Sequence, residues 1–347
     1  MSRTGGAAHG SSIGDLAAFS ARIGADPCVI QGPGGNTSVK QDGVLWIKAS
    51  GTWLADALDE DIFVPVALEP LQQAIHRNDP SCETCQDYVV EALNPRGLRP
   101  SIETTMHAVL PQKVVVHVHC VDTIAWAVQK DAEAKLSPLL SGLDWAFVPY
   151  IRPGMPLSRR IVERLQPATT ILVLGNHGLV VSAESVSEVS QLLGEVRTRL
   201  HRSAREAPPF NSAALSRLAH ETAFFVPDDP KIHAVATDPI RLNIARHGSL
   251  YPDHVIFIGS SIAVALTDSG IPLAHTIASL VLAVEGTGVL LAKGISKSGL
   301  AMARCISDVT ARLQGCDPIH YLSAEDETKL LNWDAEKHRQ AMAGGQP

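Results

Sequence analysis

Residues 114–123 read Val-Val-Val-His-Val-His-Cys-Val-Asp-Thr, and the rest of the chain is organised around them. A run of valines following Pro111 favours a pleated strand, because β-branched side chains pack well there. From Val121 to Gln129 the apolar spacing turns helical, so a strand runs into a helix. Side chains two apart on a strand share a side, so His117 and His119 can converge on one metal ion.

Moving outward, Ile13, Leu16, Phe19 and Ile23 predict an amphipathic helix over residues 12–26. Gly32-Pro33-Gly34-Gly35-Asn36 is a tight turn, and Val44 to Lys48 is a short strand that ends at Ser50-Gly51-Thr52. Pro100-Ser101 opens a helix through Glu103 and His107, with Ser101 capping its free amides. Downstream, Thr170 to Leu174 is a strand that turns at Gly175-Asn176-His177-Gly178 into Leu179 to Val181. Val186, Val189, Leu192, Leu193, Val196 and Leu200 then keep helical spacing.

His177 supplies a third imidazole, and three nitrogen ligands with an open position form the usual shell of a catalytic zinc. Spacing alone leaves the other reading open, in which these are hydrogen-bonded turn or core histidines. Glu103 precedes the His-x-His strand, where a general acid or base would stand, although a lone helical glutamate is usually a solvated charge. His107, one turn on, reads as a supporting residue. The Gly34-to-Ser38 turn, with Ser50, Gly51 and Ser101, offers amides and hydroxyls that suit a phosphate, and each also serves as an ordinary turn or cap. No GxxxxGK[ST] loop, GxGxxG fingerprint or GxSxG elbow occurs.

At 347 residues and 45% hydrophobic side chains, the chain exceeds one ordinary core. Ala207-Pro208-Pro209-Phe210-Asn211 is the expected linker, which gives a flexible tail over 1–11, a catalytic domain over 12–207 and a C-terminal α/β domain over 212–347. A net charge of -7 argues against a nucleic-acid partner. The apolar runs Val255–Leu266 and Thr276–Leu291 are too short or broken to span a membrane. No secretory signal opens the chain, and six scattered cysteines fit a reducing cytoplasm, with Cys82 and Cys85 as loop thiols. Gly286 to Leu291 and its following helix echo Asn176 to Val181 and theirs, without the histidine.

In chain order, GPGGNTSVK (32–40), WIKASGTWL (46–54), PSIETTMH (100–107), VVVHVHCVDT (114–123) and LGNHGLVV (174–181) resemble the successive motifs of the class II aldolase/adducin superfamily. Within it they are most similar to the aldolase portion of rhamnulose-1-phosphate aldolase-like fusion proteins. WDAEKHRQ (333–340) is faintly similar to a segment of those proteins. The resemblance implies a three-layer α/β/α domain with a central, mostly antiparallel sheet, beside the smaller C-terminal α/β domain.

It also implies that His117, His119 and His177 bind zinc or another divalent metal and that Glu103 is the catalytic acid/base. Gly35, Asn36, Ser38, Ser50, Gly51 and Ser101 become substrate contacts, and Tyr150 in VPYIRPG a proton donor. Ile102 stands where such sites carry a second serine. The implied activity is a zinc-dependent aldolase acting through an enediolate on a small, phosphorylated ketose. The alternatives are an epimerase, dehydratase or decarboxylase, or an adducin-like interaction module. Glutamate at 103 favours aldolase or dehydratase, since related epimerases carry aspartate there. A cyclic homo-oligomer, often a tetramer, is the expected assembly.

Overall fold

A computed structural model describes residues 12–265 and 279–344. The expected tail over 1–11 lies outside the described residues, as do 345–347 at the expected frayed end and 266–278, which include the start of the Thr276–Leu291 run.

Seven strands form the first sheet: β1 (Asn36–Gln41), β2 (Val44–Lys48), β3 (Phe63–Ala67), β4 (Val114–Val118), β5 (Trp145–Val148), β6 (Ile171–Leu174) and β7 (Gly178–Ala183). Their order is β3-β2-β1-β4-β7-β6-β5, and every neighbouring pair is antiparallel except β5 with β6. The helices of this unit are α1 (Ile13–Gly24), α2 (Leu68–His76), α3 (Thr104–Val109), α4 (Val121–Ala127), α5 (Ala132–Leu139), α6 (Met155–Arg164) and α7 (Val186–Arg199).

Val114, Val116 and Val118 pack with Leu16 of α1, Leu136 of α5 and Val196 of α7, while Val115 faces Met106 of α3 and Ile161 of α6. Strand β4 is therefore buried on both faces, which is why its valines run on without alternating with polar residues. Each such buried side chain contributes about 1.5–3 kcal/mol of transfer free energy. The expected three-layer arrangement follows from this two-sided burial.

One element departs from expectation. Helix α3 begins at Thr104, with Glu103 in its N-cap position at φ -105° and ψ 13°. Ser101 does not cap that helix; it closes the preceding turn, its hydroxyl accepting from the Glu103 amide at 3.3 Å and its carbonyl from Thr104 at 3.1 Å. This shift takes Glu103 off the helix surface and buries it at 4% exposure.

Residues 200–211 carry no helix or strand. Beyond them come α8 (Ser212–Ala219), α9 (Pro230–Thr237), α10 (Pro239–Arg246), α11 (Pro252–Ile258), α12 (Lys297–Thr310), α13 (Ala324–Leu331) and α14 (Asp334–Gly344). Proline opens α9, α10 and α11, where its missing N–H would have no partner anyway. Strands β8 (Phe224–Phe225), β9 (Ala263–Ala265), β10 (Val281–Val284) and β11 (Gly288–Ala292) form a second sheet in the order β8-β11-β10-β9. Its core is continuous with the first unit, because Val121, Ile124 and Val128 pack with Val255, Met302 and Ile306.

Candidate metal centre

Strand pairing gathers the histidines. Asn36 pairs with His117 across β1 and β4, and His117 with Val180 across β4 and β7, so the turn after β6 stands beside the end of β4. That turn carries His177. A side chain on Gly178 would meet the Val118 carbonyl at 2.4 Å, so this approach requires glycine. One ligand nitrogen from each of His117, His119 and His177 lies within 4.8 Å of the others.

The ring protons can be assigned from their partners. Nδ1 of His117 lies 3.1 Å from the Leu179 carbonyl, and Nδ1 of His119 lies 3.1 Å from Oδ2 of Asp253. A carbonyl and a carboxylate only accept, so each neutral ring keeps its proton on Nδ1 and presents a bare Nε2. Those two Nε2 atoms are 3.0 Å apart, a repulsive approach of lone pairs unless a cation lies between them. Zinc–nitrogen bonds of about 2.0–2.1 Å at a tetrahedral angle would hold ligand nitrogens about 3.4 Å apart. These residues fit a divalent metal ion; imidazole suits several, and the donor set does not choose among them.

Burial lowers His117 to about 4 and His177 to about 3, outweighing the pull of Glu103, with repulsion among the rings a smaller contribution in the same direction. Burial alone would raise Glu103, but the imidazole charges and the Asn36 hydrogen bond bring it down to about 2. At neutral pH the pattern is neutral His117 and His177 beside an ionised carboxylate, the protonation state that metal binding requires.

Glu103 lies 3.5 Å from Nε2 of His117 through Oε2 and 3.4 Å from Nε2 of His177 through Oε1. Oε2 accepts from Asn36 at 2.8 Å, whereas Oε1 accepts no hydrogen bond. Asn36 also donates to the Ser101 hydroxyl at 3.1 Å. Its carbonyl is fixed in turn by Nε2 of His107, whose Nδ1 meets the Ser38 hydroxyl at 2.7 Å. Ser38, expected as a substrate contact, instead orients Asn36 through His107.

Gly35, Asn36, Ser50, Gly51 and Ser101 line one small pocket with Glu103 and Ile102. Tyr150 sits elsewhere. Its ring packs against the C-terminal core, its buried hydroxyl has no hydrogen-bond partner, and burial, then the Asp326 charge, raise its pKa. Cys82 and Cys85 are free and buried, with the Cys85 thiol 3.2 Å from the Cys82 carbonyl.

The sequence did not single out the residues that the C-terminal unit brings to this centre. Asp253, at the head of α11, reaches His119, and a side chain on Gly34 would meet both at 2.7 and 2.8 Å. Arg339 of α14 donates to Oδ1 of Asp253 and lies 3.1 Å from Oε2 of Glu336, and it also lines the pocket. Breaking such a buried pair strands a charge, typically at a cost of about 3–5 kcal/mol. Lys48, 2% exposed, lines the pocket as well; burial and then the Arg339 charge lower it to about 7. Asn176, beside His177, is tied to the same unit by hydrogen bonds to the Leu250 and His320 carbonyls at 2.9 and 2.7 Å.

The family model described as Class II Aldolase and Adducin N-terminal domain matches residues 15–201. The chain belongs to this family. His117, His119 and His177 all lie within the matched residues. Over 175 residues the chain is 33% identical to the uncharacterized oxidoreductase YuxG of Bacillus subtilis, covering 47% of this chain. The match spans only 25% of that relative's length. Among solved structures, the N-terminal class II aldolase domain of a conserved Thermoplasma acidophilum protein is 26% identical. It covers 58% of this chain and 97% of its own, at a TM-score of 0.49. L-fuculose-1-phosphate aldolase from Thermus thermophilus is 18% identical over 54% of this chain and 92% of its own, at a TM-score of 0.36. No helix among the described residues is long and apolar enough to cross a membrane.

Proposed function

We propose that this class II aldolase-family chain is a zinc-dependent lyase that cleaves or forms a carbon–carbon bond in a small, phosphorylated ketose. The observation that carries this reading is the pair of bare Nε2 atoms 3.0 Å apart, beside a third imidazole and a carboxylate oxygen that accepts no hydrogen bond. His117, His119 and His177 would hold the ion, which when bound supplies Lewis acidity toward substrate oxygens.

Glu103 moves the proton. Asn36 pins its Oε2, which leaves Oε1 as the basic atom, and burial keeps bulk water from competing for the proton. Glu103 is ionised at neutral pH and so has a free lone pair for the proton. Ser50, Gly51 and Ser101, with Gly35 and Asn36, are positioned to cradle the phosphate-bearing end. Ser38 and His107 hold Asn36 in the orientation that this division of labour needs.

The test is a screen of phosphorylated ketoses for aldehyde release, with and without a chelator. The expected result is release that chelation abolishes and added zinc restores. Release indifferent to chelation, or epimerised sugar without cleavage, would contradict the proposal.

A further inference from the structure

The pocket beside the histidines gathers hydrogen-bond donors that its own acceptors do not use up. Ser50 is 9% exposed, and its hydroxyl is buried without a partner. The Lys48 ammonium donates to the Pro33 and Thr52 carbonyls at 2.9 and 2.7 Å, which leaves one of its three N–H bonds unspent. Arg339, 8% exposed, completes the wall. Its closest carboxylates approach through Nη2 and Nε, so the Nη1 side of the guanidinium fork is left for another acceptor. Lys48 and Arg339, both in this wall, also repel each other.

The helix carrying Arg339 is well anchored. Trp333 at its head stacks on Arg152 of the first unit at 4.2 Å, and Glu336 is buried at 1% exposure. Arg339 is thus a fixed cation. With Nη2 and Nε facing carboxylates, Nη1 offers a charge-assisted hydrogen bond, which suits a phosphate oxygen better than a neutral hydroxyl. The Ile102 side chain, in the same wall, offers no donor.

We propose that Arg339, supplied by the C-terminal unit, is the residue that binds the substrate's phosphate and so makes the site selective for an anionic ketose. This rests on the pocket beside the histidines being the substrate site. The C-terminal unit then has a definite role: through one arginine it fixes Asp253 behind His119 and presents a cation to the ligand.

The experiment is calorimetric titration of the full chain with inorganic phosphate, as purified and again after chelation, so that the result does not depend on a bound ion. Wild type should bind phosphate saturably, and Arg339→Gln should weaken binding by roughly tenfold or more. Asp253→Asn breaks the same ion pair from the other side but keeps the guanidinium, and should bind phosphate at least as tightly as wild type. The double variant Asp253→Asn/Arg339→Gln leaves neither charge stranded; it should lose phosphate as Arg339→Gln does, and it serves if the single variant misfolds. Equal affinity in wild type and the Arg339 variants would overturn the proposal. So would a loss in Asp253→Asn as large as in Arg339→Gln, which would make Arg339 only an anchor, or no uptake by wild type. Failure of the metal assignment is read separately, from metal content.

Discussion

The turn between β6 and β7 and the turn between β10 and β11 are built alike. In each, three residues join an antiparallel pair closed by Leu174 with Gly178 or by Val284 with Gly288. The middle residue is left-handed in both, Asn176 at φ 51° and Gly286 at φ 69°. The last turn residue donates back, His177 to Leu174 at 3.1 Å and Thr287 to Val284 at 2.9 Å. A serine-capped helix of 14 residues follows each hairpin, α7 after Ser185 and α12 after Ser296.

The chemistry diverges because the neighbours differ. β7 lies against β4, which brings His117 to the first turn, whereas β11 lies against the two-residue β8. The second hairpin has a buried histidine beneath it as well, but His233 accepts from Val289 at 3.0 Å and donates to Pro227 at 2.9 Å. Both its nitrogens are spent. His117 and His119 each use Nδ1 and leave Nε2 bare. Between these two hairpins, a bare Nε2, more than burial, separates His117 and His119 from His233.

The sharpest way to break this contrast is at Glu103. If the first hairpin serves a reaction, Glu103→Gln should lower turnover by about 10²–10⁴-fold, read from steady-state kinetics on a ketose found by the screen. Metal content should stay constant, and full activity in the variant would remove the carboxylate from the mechanism. Next in size is Asp253→Asn, which weakens the acceptor behind His119 and should reduce metal affinity by about 10–100-fold in competition with a chromophoric chelator. Unchanged affinity would mean that the His119 tautomer is set without it.

For the second hairpin, His233→Ala should leave metal affinity untouched but strand the Val289 amide and the Pro227 carbonyl, costing about 1–3 kcal/mol in urea unfolding. A metal defect in this variant would erase the distinction between the two histidine types. The smallest effect concerns pH. Burial lowers His254 to about 3 and, with repulsion from His117 and Lys40, lowers His107 to about 3. Both rings take up protons on unfolding. Their contribution is therefore fully present above the unfolded pKa of about 6.5 and is lost as pH falls toward 3. In the chelated protein these two rings alone account for a loss of about 1–2 kcal/mol from pH 7.5 to pH 6, and a urea midpoint that rises on acidification would contradict this.

The histidine cluster was legible because it depends on local signals: valine-rich β4, an i, i+2 pair and a glycine-flanked turn. The echo between the two hairpins was visible for the same reason. Glu103 was placed on a helix that in fact begins one residue later, because a turn closed by Ser101 and a helical turn have the same composition. Ser38 was assigned to the ligand because a hydroxyl in a turn motif does not reveal which side of the strand it serves. Asp253 follows a proline at a helix start, where an acidic residue ordinarily meets solvent and free amides. Arg339 lies in a charged helix where periodicity cannot say which cation turns inward, and only its packing against Asp253 reveals it.

The most direct test of the account is metal content by elemental analysis, comparing wild type, His117→Ala and His233→Ala after equilibration with zinc and removal of the excess. About one ion per chain should remain in wild type and in His233→Ala, and none in His117→Ala. Retention of the ion by His117→Ala, or no uptake by wild type, would contradict it.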